Sequence, residues 1–369
     1  MAVAGGSGPT GGSRRAGRTT LAAGALVLVT TWTASSAAAL PGPGSARTAP
    51  VVERAAAPPA APPRAQPHAE SPARTRARDR APRVRTYWTR ARMAAAVPAE
   101  RLSAPPGTRF QRRAALAGYL SQVVATRGTA RPVDTGSPWS RGGLLTRTTG
   151  KVFFTLSDTD YVCSGSAVTS ADRSTVLTAG HCVYDPQDGV WARNWMFVPG
   201  YASGTAPHGL FVADHLATTT GWRTSGDFDD DVALVDVGPR GDGRLLTDAV
   251  GSQRIGFDVP RGRPAVAVGY PAEEPWDGET LIGCAGPLRQ DRRTDPSFTP
   301  TTDQGMACTM TGGSSGGPWL TDLDPRSGRG TVTSVTSFGY TDQPGVLWGP
   351  YLGSAARAMY EQVAGTATG

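Results

Sequence analysis

The chain has 369 residues, a formal net charge of +7 and a hydrophobic fraction of 39%, enough for one large or two small domains. Its charge is unevenly spread. Residues 1–150 carry 22 arginines and 5 acidic residues, a balance of +17, whereas the remainder carries 15 basic and 25 acidic residues, a balance of −10. Because the positive excess lies in a segment that looks removable, we expect no nucleic-acid partner despite the basic net charge.

Residues 1–39 have the order of features found in an export signal. Three arginines between positions 14 and 18 precede an apolar run from Leu21 to Val29, and the small residues SSAAA follow. Cleavage after Ala39 would fit this pattern, and the paired arginines hint at twin-arginine export. The apolar run is shorter than the roughly 20 residues that a membrane span needs. We therefore predict a secreted, extracellular protein without a stable membrane anchor.

Export would place the mature chain in an oxidising compartment, where an even number of cysteines suits disulfide formation. The four cysteines are Cys163, Cys182, Cys284 and Cys308, and three connectivities are possible. Because no two of them are spaced as CxxC, a structural zinc site is not expected. All four follow residue 150, which places the ordered part of the protein there.

Residues 40–135 have the character of a prosegment. The part up to about residue 108 is rich in Ala, Pro and Arg, a composition that cannot bury enough apolar surface to order itself. A short helical pattern of apolar residues follows between residues 110 and 126. We predict a largely disordered prosegment over residues 40–135 and a folded domain over residues 136–369, with a permanently disordered stalk as the alternative.

The second half of the chain consists of short apolar runs separated by Gly, Asp, Ser and Pro. Examples are KVFFTL, YVCSGSAV, VALVDV, PAVAVGYP and TVTSVTSF. This pattern is typical of an all-β sandwich or barrel and not of alternating α/β structure. The last element, YLGSAARAMYEQV, predicts a C-terminal helix, because apolar residues recur in it at helical spacing. These are Tyr351, Leu352, Ala355, Met359 and Val363.

The stretch TGGSSGGPW places two serines in a glycine-rich turn, which raises the possibility of acyl transfer at serine. That chemistry needs a base, an acid that orients the base, and amide donors for the developing oxyanion. GSSGG also fits the nucleophile elbow of α/β-hydrolases, but those enzymes need a histidine after the serine, and none follows Ser315. The subtilisin order would need an aspartate before His181 in a parallel-sheet context, which is lacking. The order His, Asp, Ser remains.

Three blocks in that order resemble the motifs of trypsin-like (chymotrypsin-type) serine proteases. They are TAGHC at 178–182, DVALVDV at 231–237 and GSSGGP at 313–318, and the resemblance covers about residues 150–365. KVFFTLSDTDYVCSGSAV and MTGGSSGGPW are most similar to the bacterial branch that includes V8-type glutamyl endopeptidases. The resemblance implies two antiparallel six-stranded β-barrels with a cleft between them. It also implies a monomeric serine endopeptidase that cleaves polypeptides through an acyl-enzyme, without a cofactor or metal.

The resemblance also assigns roles to individual residues. It makes His181 the general base, Asp231 the acid that orients it, and Ser315 the nucleophile, with the backbone N–H groups of Gly313 and Ser315 as the oxyanion hole. Asp230 is the alternative acid. The adjacent acidic residues at 229–231 could equally form a solvated turn or a weak cation site.

The same resemblance places the substrate-binding residues. Thr309 would lie at the base of the specificity pocket, and Ser337, Phe338 and Gly339 would form the wall that pairs with the substrate backbone. Without an acid at Thr309, a preference for Arg or Lys is not expected. Thr336 stands where glutamyl endopeptidases use a histidine, so a preference for glutamate is unsupported.

Two further expectations follow from the resemblance. It implies one disulfide, Cys163–Cys182, in the first barrel and another, Cys284–Cys308, in the second. Ser314 occupies the position where trypsin-like zymogens commonly carry an aspartate that captures the new N-terminus, so activation by that ion pair is not expected. The prosegment would instead act on its own domain by blocking it, solubilising it or assisting its folding, with opposite charge favouring docking.

The alternative from another class is a non-catalytic secreted binding protein on the same barrel scaffold. Such proteins usually lack a member of the triad, and all three candidate residues are present here.

Overall fold

The computed structural model describes residues 68–70, 74–101, 136–292, 301–340 and 342–364. The predicted signal peptide, the first part of the prosegment and the helical pattern between residues 110 and 126 lie outside them. The chain divides into two compact units, residues 1–61 and 62–369, and every described residue belongs to the second. Among the described helices, none is long and apolar enough to cross a membrane.

A group of short elements precedes the β domain. In chain order they are β1 (His68–Glu70), α1 (Arg74–Tyr87), α2 (Arg90–Ala95), β2 (Val97–Pro98) and a 3₁₀ turn over Ala99–Arg101. The Thr89 hydroxyl caps α2 by accepting a hydrogen bond from the Arg92 N–H. The expected disorder of the prosegment therefore does not extend to residues 74–101. The composition argument holds for a segment on its own, whereas contacts with the following domain order these residues.

The first half of the domain is a closed six-stranded antiparallel barrel. This part of the chain begins with β3 (Ser137–Pro138), which pairs with a strand of the second half. The strands and helices that follow are α3 (Gly143–Thr148), β4 (Thr149–Leu156), β5 (Thr159–Ala167), β6 (Thr175–Thr178), β7 (Tyr184–Asp185), β8 (Val190–Trp191), β9 (Arg193–Pro199), β10 (Phe211–Thr218), α4 (Thr220–Ser225) and β11 (Ala233–Val237). The hydrogen-bonded order β10–β11–β6–β5–β4–β9 returns to β10 and closes the barrel. Strands β7 and β8 pair separately.

The second half contains two sheets. Its elements are α5 (Leu246–Val250), β12 (Arg254–Ile255), β13 (Pro264–Gly269), β14 (Ile282–Pro287), β15 (Arg289–Gln290), β16 (Gln304–Ala307), β17 (Pro318–Asp324), β18 (Arg329–Val335), β19 (Val346–Gly349) and α6 (Ser354–Val363). One sheet has the order β12–β18–β17–β13–β14–β3, and the other the order β15–β16–β19. Backbone hydrogen bonds between Phe338, after β18, and Trp348 in β19 link the two sheets. The all-β class predicted from the sequence is confirmed.

The C-terminal helix α6 is also confirmed, with one change to its predicted buried face. Ala356, Met359 and Val363 are buried, whereas the predicted Ala355 is exposed. At this turn the helix therefore buries Ala356 and not its predicted neighbour Ala355.

Both disulfides implied by the resemblance are present. Cys163 in β5 is bonded to Cys182, and Cys284 in β14 is bonded to Cys308 just after β16. The first bond ties a barrel strand to the turn after β6, and the second ties together the two sheets of the second half.

The N-terminal elements cover apolar surface of the first barrel. Phe153 and Phe154 are neighbours in β4 and point to opposite faces of the sheet, yet both are fully buried. Trp88 is only 4% exposed, lies with its ring centroid 5.4 Å from that of Phe153, and donates its indole N–H to the Asn194 carbonyl. Part of the predicted prosegment is thus packed onto the barrel as a structural layer.

Candidate active site

His181 and Asp231 meet at one end of the first barrel because their strands are neighbours. His181 lies in the 3₁₀ turn Gly180–Cys182 after β6, and Asp231 lies just before β11, which pairs with β6. One Asp231 oxygen accepts a hydrogen bond from the His181 backbone N–H at 2.8 Å, and the other lies 2.8 Å from Nδ1 of the imidazole. The carboxylate therefore holds both the backbone and the ring of His181.

The surroundings of this pair are tightly packed. His181 is 2% exposed and Asp231 is fully buried. A Cβ on Gly180 would lie 2.7 Å from the Trp222 ring and 2.9 Å from an Asp231 oxygen, so only glycine fits there. Burial opposes protonation of His181, but the Asp231 carboxylate and, to a smaller extent, Glu100 outweigh it and raise the pKa of His181.

The other two aspartates of the acidic run are directed elsewhere. Asp229 accepts a hydrogen bond from the Thr302 N–H at 2.6 Å. Asp230 lies against Gly221, where an added Cβ would be 2.0 Å from its carboxylate. Burial and the neighbouring acidic side chains raise the pKa of Asp230 to about 6. Asp231 is the residue of the run that contacts His181.

Ser315 lies in a turn between β16 and β17 that only glycines can form. Gly313 has φ +96° and Gly316 has φ +77°, values that favour glycine. A Cβ on Gly316 would lie 2.1 Å from the Thr178 hydroxyl, and one on Gly313 would lie 2.7 Å from the Tyr270 carbonyl oxygen. The glycine-rich composition is therefore required by backbone conformation and by close packing on the first barrel.

The two serines of the turn make different contacts. The Ser314 hydroxyl donates to the Thr311 carbonyl at 2.7 Å, a bond within the turn. The Ser315 hydroxyl donates to Oε1 of Glu100 at 2.5 Å. The Gly313 N–H lies 2.9 and 3.0 Å from the two oxygens of the same carboxylate, and the Ser315 N–H lies 3.3 Å from Oε1. The two amides assigned to the oxyanion hole thus converge on one acidic side chain.

The imidazole and the Ser315 hydroxyl are not hydrogen-bonded to each other in this state. Nε2 of His181 is buried and has no hydrogen-bond partner within the described part of the chain. The Ser315 hydroxyl is directed instead to Glu100, with the Ser337 carbonyl oxygen 3.4 Å away.

Glu100 is partly buried in this position. Burial raises the pKa of the Glu100 carboxyl, while the charge of His181 and the hydrogen bonds from Ser315 and Gly313 oppose this rise. A second carboxylate is close by: a Cβ on Gly312 would lie 3.1 Å from an oxygen of Glu100 and equally 3.1 Å from one of Glu273.

The predicted wall for substrate backbone divides into a buried and an accessible part. The Ser337 hydroxyl donates to the Asp231 carboxylate, so this residue also supports the His181–Asp231 pair. Phe338 exchanges backbone hydrogen bonds with Trp348 and is only partly buried, and Gly339 is exposed. Of the predicted wall residues, Phe338 and Gly339 are therefore the ones that solvent can reach.

The predicted pocket residues are held by two tryptophans. The Thr336 hydroxyl accepts a hydrogen bond from the Trp319 indole N–H at 2.9 Å, and Thr336 is buried. The Thr309 carbonyl accepts a longer one, 3.4 Å, from the Trp276 indole. The Thr336 hydroxyl is thus already bonded within the protein.

The other histidines and the cysteines that could serve as a base or a metal ligand have different surroundings. The sulfurs of Cys163 and Cys182 lie with His181 in one cluster of possible metal ligands, but both sulfurs belong to a disulfide and are not thiolates. His215 faces Asp236 at 3.7 Å, on β10 and β11. Burial lowers the pKa of His208.

Sequence reasoning missed two residues of this site. Ser337 was assigned only to the substrate wall, although its hydroxyl is bonded to Asp231. Glu100, in AVPAERL, lies 215 positions before Ser315 in a segment that we expected to be disordered. No local pattern distinguishes it from a solvated glutamate, so only the fold reveals it.

Comparison with known proteins places this geometry in a family. The model of the trypsin-like peptidase domain matches residues 163–325. Two solved structures are each 40% identical and cover 60% of this chain: the protease Anisep from Arthrobacter nicotinovorans, with TM-score 0.54 and 96% of its own chain covered, and the thermostable serine protease AL20 from an extremophilic microorganism, with TM-score 0.55 and 99% covered.

A curated relative, an extracellular metalloprotease of Bacillus subtilis (strain 168), is 26% identical over 142 residues, which are 38% of this chain and 43% of that protein. The chain thus matches less than half the length of this relative. The family model and the two 40%-identical structures, by contrast, agree with each other and with the β architecture. The chain belongs to the trypsin-like serine proteases.

Proposed function

We propose that this chain is a secreted serine endopeptidase that hydrolyses peptide bonds through Ser315, His181 and Asp231 and an acyl-enzyme intermediate. One observation carries this proposal. The amides of Gly313 and Ser315 point at an acidic oxygen beside the Ser315 hydroxyl, while Asp231 fixes the imidazole of His181 nearby. A tetrahedral intermediate presents such an oxygen to this kind of site.

Each residue has a defined step in this mechanism. Once the Ser315 hydroxyl turns to Nε2 of His181, the imidazole takes its proton as the oxygen attacks the substrate carbonyl carbon. The negative charge on the carbonyl oxygen is stabilised by the amides of Gly313 and Ser315. Nε2 then returns the proton to the leaving amine, and water repeats the sequence on the acyl-enzyme. Asp231 stabilises the imidazolium and keeps the Nδ1 proton in place.

Secretion is supported by separate observations. The first 39 residues have the order of an export signal, both cysteine pairs form disulfides, which persist in oxidising compartments, and the curated relative is named as an extracellular protein. Polypeptides are the expected substrates. The residues held by Trp319 and Trp276 provide no charge at the pocket base, so we expect neither Arg/Lys nor Glu preference.

The test compares the two adjacent serines. Ser315→Ala should abolish labelling by a fluorophosphonate probe and reduce peptide hydrolysis by a factor of about 10⁴ or more. Ser314→Ala removes only the bond to Thr311 and should keep activity within about tenfold. Because Glu100 binds the Ser315 hydroxyl, both variants are measured in the wild-type chain and in a Glu100→Ala background.

The outcomes separate the enzyme from the non-catalytic binding protein. Covalent modification of Ser315, located by peptide mass spectrometry, supports the enzyme. A folded chain that remains unreactive in both backgrounds supports the binding protein. Equal loss in the two serine variants would remove the assignment of Ser315 as the nucleophile.

A further inference from the structure

We propose that residues 87–101, here called the latch segment, keep this protease latent, and that the Glu100 carboxylate is the group that blocks the oxyanion hole. The proposal rests on the function proposed above, since the amides filled by Glu100 are those assigned to the tetrahedral intermediate. It adds an internal ligand of stated chemistry, a carboxylate carried by the chain's own prosegment.

Glu100 blocks the site in two ways. Its carboxylate takes the hydrogen bonds of the Gly313 and Ser315 amides, so a substrate carbonyl oxygen cannot occupy them. It also accepts the Ser315 hydroxyl at 2.5 Å, which leaves Nε2 of His181 without a partner among the described residues. The nucleophile is thereby separated from its base, although all the groups are in place.

The chemistry of the hole explains why a carboxylate binds there. An oxyanion hole is built to stabilise negative charge on oxygen, and hydrogen bonds to a charged acceptor are about twice as strong as neutral ones. His181, whose pKa is raised, adds a favourable positive potential. A buried carboxylate is otherwise costly, and the desolvation of Glu100 opposes its binding. The carboxylate therefore depends on anchors elsewhere in the segment.

The strongest anchor is Trp88. It is 4% exposed, packs on Phe153 and satisfies its indole N–H at the Asn194 carbonyl with a 2.6 Å bond. Burial of an aromatic side chain is strongly favourable, so this contact holds the segment to the barrel independently of the active site.

Polar contacts with β5 set the position of the segment beyond Trp88. The Tyr87 hydroxyl donates to Asp160 at 2.8 Å and the Arg92 guanidinium contacts the same carboxylate at 3.1 Å. Val97 and Pro98 then pair in parallel with Tyr161 and Val162.

This pairing places Glu100 close to His181 and Ser315. Pro98 lies beside Val162, the residue before Cys163, and Cys163 is bonded to Cys182, the neighbour of His181. Glu100 follows Pro98 by two residues. Because the segment is covalently attached to the domain, its effective concentration at the site is high, and a moderate intrinsic affinity is sufficient for latency.

The test measures how fast Ser315 is labelled by a fluorophosphonate probe in the full chain. Glu100→Ala should be labelled at least about tenfold faster than the wild type, the factor that corresponds to 1.4 kcal/mol. Glu100→Gln keeps the shape and an acceptor oxygen but loses the charge, so its rate should lie between the two. Glu361→Gln, an exposed glutamate on α6, is the matched control and should label at the wild-type rate.

A variant far from the reacting atoms tests the anchor. Trp88→Ala leaves every group of the site intact and should also accelerate labelling, because the segment undocks more often. Thermal unfolding of each variant, followed by circular dichroism, confirms that the domain remains folded. Glu100→Gln serves as the shape-conserving variant if Glu100→Ala is unstable.

The labelling rates distinguish a failure of the latch proposal from a failure of the proposed peptidase function. If wild type, Glu100→Ala and Glu100→Gln all label Ser315 at one rapid rate, the latch is wrong and the proposed function stands. If none of them labels while all remain folded, both proposals fail. Acceleration by Glu361→Gln equal to that of Glu100→Gln would also overturn the latch, because the effect would then not depend on the oxyanion hole.

Discussion

Replacing Asp231 by asparagine tests how the structure fixes the protonation of His181. One Asp231 oxygen accepts the His181 backbone N–H, and the other serves Nδ1 of the ring and the Ser337 hydroxyl. The backbone N–H is a fixed donor, so the carbonyl oxygen of the new side-chain amide must take that place. The NH₂ group of the amide then faces Nδ1, which must become an acceptor and move its proton to Nε2. An imidazole protonated at Nε2 cannot accept the Ser315 proton.

The expected loss is large because the wrong tautomer removes the base. An Asp-to-Asn change that leaves geometry intact but selects this tautomer reduces kcat by about 10⁴ in enzymes of this type, or about 5 kcal/mol in activation free energy. Asp230→Asn is the matched control: Asp230 makes no contact with His181 in the structure, and we expect activity within about threefold of the parent.

Initial rates of peptide hydrolysis and fluorophosphonate labelling, both in the Glu100→Ala background, provide the assay. A loss below about tenfold for Asp231→Asn, or equal losses for Asp230→Asn and Asp231→Asn, would refute the assignment of the orienting acid. Circular dichroism and thermal unfolding of both variants establish that the comparison concerns folded protein.

Two other changes have defined outcomes. Gly316→Ala should destabilise the domain by more than about 3 kcal/mol in chemical denaturation, because it combines positive φ with a 2.1 Å clash, whereas Gly262→Ala, with φ +80° and open space around it, should cost about 1–2 kcal/mol. Removing the Cys163–Cys182 disulfide, which joins residues 19 apart, should cost about 3 kcal/mol and slow labelling, since it borders the base.

Most of the barrel strands could be predicted because their sequences are apolar and bounded by turn residues. Strand β17, in the second half of the domain, is harder to recognise. It begins at Pro318 and contains Thr321, Asp322 and Asp324, a pattern that does not resemble a strand. Its pairing with β13 and β18 supplies the stability that its own composition lacks. Local pattern therefore identifies buried strands better than half-exposed ones.

The triad candidates could be identified because their motifs are local and occur in a fixed order. Ser337 could not be assigned to Asp231 in the same way, since its contact spans 106 positions and depends on how two β structures pack. Glu100 was harder still. Its surroundings predict a solvated charge, and its burial follows from the docking of Trp88 and the pairing of Val97 and Pro98.

Because Glu100 accepts hydrogen bonds from the Gly313 and Ser315 amides, the proposed latency and the proposed catalysis depend on the same donors. The Gly313 and Ser315 amides cannot distinguish a carboxylate oxygen from a carbonyl oxygen that acquires charge, because both are recognised by the same donors at the same distance. A substitution that weakens the hydrogen bonds from these amides to the tetrahedral intermediate must therefore also weaken their hydrogen bonds to Glu100. A substitution that strengthens the first set must also strengthen the second. The proposed latch can be released without altering the catalytic groups, because its other contacts, at Trp88 and along β5, are separate from those groups.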